Sequence, residues 1–280
     1  MSDRTASPAI VDYEPYRVKP DRQVSLSRFA TRDDQGLDKE DGKKHFERNI
    51  RKLKDFQERL YAEHRQSLLI VLQAMDTGGK DSTLRKLAGD LNPQGCAVTG
   101  FKAPSREELS HDFLWRVHDH APRAGHIAIF NRSHYEDVLI VRVHGLAPQA
   151  LIESRYGYIN DFERLLSDHG TRIVKFMLHI SKDYQLERLR RRLRHPDKHW
   201  KFNPEDLKER ERWDEYVGAY EIMLSRCSTD HAPWYVIPAE TRWFRNLVVS
   251  QIALDTFESM APQFPKPDFD LEDYPPESLV

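Results

Sequence analysis

The segment Asp76-Thr77-Gly78-Gly79-Lys80-Asp81-Ser82 brings two glycines, a lysine, two carboxylates and two hydroxyls into one short stretch. Residues of these types at this spacing suit phosphate binding. Glycines let backbone N–H groups approach an anion, a helix that follows points its positive end at it, and Lys80 adds a mobile charge for a phosphoryl group in transfer. Gly78, Gly79, Lys80, Asp81 and Ser82 are therefore candidate phosphate ligands. The match to G-x-x-x-x-G-K-[ST] is imperfect, because Ala74 stands at the first glycine position and Asp81 replaces the hydroxyl residue. An ordinary glycine turn is the alternative, but the aliphatic strand pattern before Gly-Gly-Lys favours the phosphate loop.

Carboxylates beside phosphates repel them unless a divalent cation lies between. Asp76 and Asp81 thus argue for metal, with Mg²⁺ the natural choice because it is hard and oxygen-liganded, and Mn²⁺ a substitute. Asp81 has a second reading, as favourable charge in the first turn of a helix. Further along, Asn131-Arg132-Ser133-His134-Tyr135-Glu136-Asp137 forms a dense polar cluster. Asn131 is a candidate for holding a metal-bound water, Arg132 for gripping phosphate oxygens in a fork, and Glu136 and Asp137 for metal or acceptor binding. The alternative is that Ser133 to Asp137 cap the next helix, with the pattern VLIVRVH.

A third feature, RLRRRLRHPDKHWKF from Arg188 to Phe202, concentrates positive charge while its surroundings are mixed. A solvated helix face would explain Arg190 or Arg192. The run continues, however, past Pro196 into Lys198, Trp200 and Lys201, outside any regular helix. It reads as a mobile lid that closes over a polyanion and excludes water, with Arg188, Arg192, Lys198 and Lys201 as candidate ligands. Trp200 is placed to stack on a base, whereas Trp213, Tyr216 and Tyr220 recur at helical spacing and read as core. His144 and His179 lack metal-ligand companions and read as packing or surface residues.

Elements must hold these groups in place. Phe46, Ile50, Leu53, Phe56 and Leu60 mark one face of a helix within Asp38 to His64. Ser67 to Ala74 is aliphatic on both faces, as in a parallel sheet covered by helices. Further strands are expected at Ala97 to Phe101, His126 to Phe130, Ile173 to Ile180 and Trp234 to Pro238, separated by helical periodicity. Ser105 and Glu108 form a capping-box signature for a helix carrying Leu109, Phe113 and Val117. The alternation predicts an α/β three-layer sandwich with a parallel sheet, its site at the carboxyl ends of the strands.

The chain has 280 residues, near the upper size for one core. Structure-poor stretches lie only at its ends. One domain, 37–262 with a lid at about 182–220, is expected between an irregular segment, 1–36, and a Pro-rich, acidic tail, 263–280. Lys and Arg total 43 against 45 Asp and Glu, a net charge of −2, so local rather than global charge decides any anionic partner. The longest apolar run, Leu68 to Leu72, is too short to span a bilayer, and the start MSDRTASPAI has no signal-peptide core, so a cytoplasmic protein is expected. Cys96 and Cys227 have no metal-ligand or CxxC spacing and read as reduced thiols.

Together the motifs MDTGGKDS, FNRSHYED, HPDKHWKF, RWDEYVGAYE and APWYVIPA, in this order from about Phe46 to Trp243, resemble the polyphosphate kinase 2 family. The resemblance implies a P-loop kinase-like fold, polyphosphate as phosphoryl donor or acceptor, adenine or guanine nucleotides as partners, Mg²⁺, and a homo-oligomer, dimer or tetramer. It passes the family's metal, phosphate and polyphosphate roles to Asp76, Lys80, Arg132 and the basic lid residues, with Asn131 as a further metal-site residue and Glu136 in the catalytic group. Asp76, Thr77, Glu136 and Asp137 are expected to meet the nucleotide. Much of the family has Asp where this chain has Asn131; with Glu136 shortly after, the chain is similar to the branch that phosphorylates both nucleoside mono- and diphosphates. In-line transfer needs positioned cations and no Ser or Cys nucleophile, in keeping with these motifs. Two other readings remain: an ATP-dependent nucleoside monophosphate kinase, and a non-catalytic polyanion binder, for example of nucleic acid, using Arg188 to Lys201 alone. The acidic residues of the loop weaken the last, because they would oppose simple electrostatic binding.

Overall fold

The computed structural model describes residues 10–276; the opening MSDRTASPA and the last four residues, parts of the two expected terminal segments, lie outside them. Helix α1 (Lys39–Glu63) is capped by Asp38, whose side chain accepts from the backbone N–H groups of Glu40 and Asp41. Strand β1 (Ser67–Ala74) follows and is buried along its whole length. Helix α2 (Lys80–Ala88) leads to β2 (Cys96–Gly100). Then come a short helix α3 (Trp115–His118), β3 (Ile127–Asn131), a short α4 (Ile140–Val143), α5 (Gln149–Asp168) and β4 (Thr171–His179). The chain continues through α6 (Lys182–Arg194), α7 (Glu205–Glu211), α8 (Trp213–Cys227), β5 (Trp234–Pro238) and α9 (Arg242–Met260).

The five strands pair in the order β2-β3-β1-β4-β5, all parallel. Helices α1 and α2 pack against α9, while α5 and α8 pack against each other with α4. Two helical layers thus enclose the sheet, the α/β sandwich expected from the double-sided aliphatic strands. Strand order reverses direction on either side of β1, so the loops leaving β1 and β3 open a crevice at the carboxyl edge.

The described part of the N-terminal segment has two 3₁₀ turns, yet it is no free tail. Val11, Tyr16, Val18, Val24 and Leu26 are buried, and Val18 N–H donates to the Trp234 carbonyl at 2.9 Å, covering the outer edge of β5. Two expected helices differ. Ser105 and Glu108 form the reciprocal capping bonds, at 3.2 and 2.5 Å, but only a 3₁₀ turn follows. Asp112 then accepts from the N–H groups of Leu114 and Trp115 and starts a separate short helix, which leaves Leu109 on the surface. The pattern VLIVRVH is likewise broken at Leu139, whose ψ of −86° divides a 3₁₀ turn from α4.

Beneath the β3 loop lies a buried charge network. Lys175 Nζ on β4 donates to Glu163 Oε2 at 2.5 Å, to the Tyr135 hydroxyl at 2.7 Å and to the Cys227 carbonyl at 2.7 Å. Tyr135 OH and His134 Nε2 donate to Glu163 Oε1. Burial opposes ionisation of Glu163, but Lys175 and His134 outweigh it and hold the carboxyl below its usual range. The network fastens residues 134 and 135, immediately beside the site residues Arg132 and Glu136. Lys175→Met leaves Glu163 as an unpaired buried charge and is expected to cost about 3–5 kcal/mol in denaturant unfolding, much of it recovered when Glu163→Leu is added.

Candidate active site

Where β1 ends, the chain turns sharply. Thr77 has φ 65° and Gly79 φ 100°, both left-handed, and a Cβ on Gly79 would lie 2.2 Å from Nη1 of Arg245. A Cβ on Gly78 would meet the Cβ of Ala74 at 2.7 Å, so Ala74 is accommodated at the irregular first position because Gly78 is bare. Lys80 opens α2 and turns its Nζ back onto the Ala74 carbonyl at 2.7 Å. Burial, helped by the nearby Arg132 guanidinium and opposed by Asp76, Glu136 and Asp81, brings the Lys80 pKa down to about 8. The buried hydroxyl of Thr77 has no hydrogen-bond partner, an open valence in the loop that should receive a ligand oxygen or water.

Across from the loop, Arg132 at the end of β3 also has a left-handed φ of 64°, a strain found mostly at functional sites. Its guanidinium donates to Asp76 Oδ1 at 2.9 Å and lies 3.5 Å from Glu136 Oε2. Asn131 Nδ2 donates to Asp81 Oδ1 at 2.9 Å, which leaves the Asn131 amide oxygen to face other partners. Asp81 therefore stands in the first turn of α2 and also reaches the groove, so its two readings coexist. Among the described residues no three His, Cys, Asp or Glu side chains are grouped to hold a metal unaided. Asp76, Asp81 and Asn131 present hard oxygens of the kind a divalent cation takes.

A groove of about 840 Å³ runs between this loop and the lid. Asp76, Thr77, Gly79, Lys80, Asp81, Ser82, Asn131, Arg132, Arg188, Arg192, Lys198 and Lys201 all line it, although their sequence positions span more than a hundred residues. The segment expected as a lid, about 182–220, is helical: it holds α6, a 3₁₀ segment Pro196–Lys201 where no regular helix was expected, α7 and the first part of α8. Arg192 donates to Asp206 at 2.9 Å, so its charge is spent bracing α6 against α7. Gln185 Nε2 donates to the Asp76 carbonyl at 3.2 Å and ties the lid to the phosphate loop.

Three expected residues stand elsewhere. Gly78 is packed behind the loop. Glu136 faces a small adjoining cavity, of about 40 Å³, with Asp76, Arg132, Trp213, Tyr216 and Tyr220. Asp137 is not brought to the groove at all: its carboxylate is buried against Arg155 at 3.3 Å, and that burial, partly offset by Arg155, raises its pKa to about 6. Trp213 and Tyr220 are buried, as their spacing implied, but they also wall the small cavity. Trp200 is 78% exposed with Lys201 Nζ 4.8 Å from its ring centre, so it stacks on a cation of its own lid. His144, half-buried, accepts from Arg212 and pairs with Glu209, a strut between segments rather than a ligand.

Sequence reasoning missed several cations of this groove. Arg85, Lys102, Arg191 and Arg242 line it, and Arg245, 2% exposed, donates to Ser82 Oγ from behind the loop. Arg191 lies inside the basic run and was within reach. Arg242 and Arg245 stand at the start of α9, a helix buried on nearly all sides, and no local signal marks them.

The profile of the family described as Polyphosphate kinase 2 (PPK2) matches residues 36–265. The chain belongs to the polyphosphate kinase 2 family. It is 49% identical over 257 residues to the AMP/ADP-polyphosphate phosphotransferase of Meiothermus ruber, covering 90% of this chain and 96% of that one. It is 42% identical over 267 residues to the ADP-polyphosphate phosphotransferase of Rhodopseudomonas palustris, covering 90% and 91%. The crystal structure of Polyphosphate Kinase 2 from Arthrobacter aurescens TC1 superposes with a TM-score of 0.90 at 44% identity, covering 95% of this chain and 97% of that one. As a polyphosphate kinase 2 the chain is a phosphotransferase. No helix among the described residues is long and apolar enough to cross a membrane.

Proposed function

We propose that this chain transfers the terminal phosphoryl group of inorganic polyphosphate to AMP and to ADP, with Mg²⁺ as the physiological cation and Mn²⁺ as a substitute. The observation that carries the reading is the single groove in which the phosphate loop, Arg132 and the lid cations converge around two loop carboxylates. The relatives named for AMP/ADP and for ADP support both acceptors. Guanine nucleotides, a cytoplasmic location and assembly as a dimer or tetramer go with the same reading.

In the reaction, a terminal phosphate oxygen of the nucleotide attacks the terminal phosphorus of polyphosphate. The bond from that phosphorus to its bridging oxygen breaks, and the chain leaves one phosphate shorter with the bridging oxygen. Attacker and leaving group are both anionic phosphates, so no general base or nucleophilic side chain is required. Lys80, the loop N–H groups from Gly78 to Ser82 and Arg132 orient the transferring group and offset its charge. Arg188, Lys198 and Lys201 hold the chain behind it, and Arg192 keeps the lid helices in register. Glu136 shares with Asp76 the task of aiming Arg132. Asp76, Asp81 and Asn131 would hold the cation, which when bound shields phosphate charge from the carboxylates. Thr77 offers its free hydroxyl to a nucleotide oxygen.

Incubation with ADP or AMP, Mg²⁺ and polyphosphate, with no triphosphate added, is expected to yield ATP by luminescence, and chelation of the metal to stop it. Absence of product, with AMP phosphorylated only from ATP, would replace this reading with that of a nucleoside monophosphate kinase.

A further inference from the structure

Behind α2 lies a second cavity, of about 1090 Å³, walled by α1, the outer side of α2 and the start of α9. It shares Ser82, Arg85 and Arg242 with the reaction groove, so one surface passes continuously around α2. Arg51, Lys54, Arg85, Lys86, Arg242 and Arg245 line it, and among the described residues none has a carboxylate within 4.0 Å. The acids present do not cancel this charge. Glu240 is engaged by Arg32 and Ser181, which leaves Glu47 and Asp90 against these six cations and Lys39, likewise without an ion pair among the described residues. In a chain of net charge −2, such a local excess is built by placement and not by composition.

Arg245 makes the case sharper. It is 2% exposed, and among the described residues its guanidinium bonds only to the neutral oxygens of Ser82 and Asn246. Burial, with Arg242 and Arg188 close by, lowers its pKa to about 10. A buried guanidinium without an acid is costly unless an anion supplies the missing charge, and this one stands where the two grooves meet. Along α1 the lining runs from Lys39 to Lys54, about 22 Å at the helical rise, a length that suits an extended polyanion rather than one phosphate. Its apolar floor of Phe46, Ile50 and Trp243 leaves the cationic field little screened.

We propose that this rear groove binds the distal part of a long polyphosphate chain whose reacting end occupies the front groove, and so sets the enzyme's preference for chain length. The inference rests on the polyphosphate reading above. Short chains end within the front groove and gain nothing from the rear one; long chains pass Arg85 and Arg242 and continue along α1.

The test compares the full-length protein with Arg51→Glu/Lys54→Glu, both residues exposed and outside the reaction groove, on linear polyphosphates graded from tripolyphosphate to long chains, with ADP at low ionic strength. In the wild type, KM per chain should fall with length and then level off. In the variant, KM for long chains should rise about tenfold, equal to roughly 1.4 kcal/mol, while kcat and the KM values for ADP and for the shortest usable chains stay unchanged. Added salt should erase the difference, because it is electrostatic. The neutral pair Arg51→Gln/Lys54→Gln should show the same split at smaller size and guards against misfolding of the charge reversal. An equal change at all lengths, or none with long chains in either variant, would overturn the proposal. A wild type that makes no ATP from any polyphosphate would instead overturn the reading on which it rests.

Discussion

Lys80→Ala is expected to lower kcat/KM for polyphosphate by about a thousandfold or more while leaving the unfolding transition nearly unchanged. Its Nζ is held by the Ala74 carbonyl at the rim of the loop, in a partly enclosed site where a fixed charge counts for more than in water. Loss of one preorganised donor to a developing charge commonly costs about a hundred- to a thousandfold, and here a full charge goes with it. The same residue sets a pH limit. The ammonium, which is the phosphate-binding form, is present below about pH 8 and is lost above it, so kcat/KM should decline on the alkaline side of that value. Bound phosphate favours the ammonium, so the kcat profile should extend to higher pH than kcat/KM. Lys80→Arg should abolish the alkaline limb even if it lowers the rate. An unaltered limb in Lys80→Arg would assign the titration to another group.

Asp76→Ala is expected to have an effect of similar size, about a thousandfold in kcat, for a different reason. The carboxylate lies 2.9 Å from Arg132 and faces the groove beside Lys80, so its loss removes a hard oxygen for the cation and one of the two acids that aim Arg132. Asp76→Asn separates these roles. The amide oxygen still accepts from Arg132, while the charge needed for the cation is gone. If the carboxylate serves the metal, the Asn variant stays as slow as the Ala variant and needs a raised Mg²⁺ concentration for half-maximal rate. Recovery of most activity in Asp76→Asn with an unchanged Mg²⁺ requirement would limit the residue to positioning Arg132.

The parts of the site that could be read from the chain were those whose chemistry is local. A strand, a glycine turn and a helix in succession are encoded by neighbours, so residues 76–82 were recognisable as a phosphate loop despite Ala74 and Asp81. The same holds for the end of β3 and for the basic run of α6, where the residue types themselves carry the signal. Asp137 misled because it belongs to the same polar cluster as Arg132 and Glu136; the 3₁₀ turn through His134–Val138 directs it to Arg155 instead. The helix expected after Ser105 failed for a related reason: a capping box reports how a helix begins, while Asp112 decides where it stops.

The α/β class, the buried central strand, the phosphate loop and the chemical character of each wall were legible in the chain, because periodicity and turn chemistry act over a few residues. The packing of distant segments placed β1 between β3 and β4, paired Asp76 with Arg132, buried Lys80 beside that arginine so that its pKa falls, and brought Arg245 to the loop and Arg242 to the groove from the far end of the chain. Those side-chain contacts join residues 52 to 163 positions apart, and their energies depend on burial and on the charges around them, which no local pattern records.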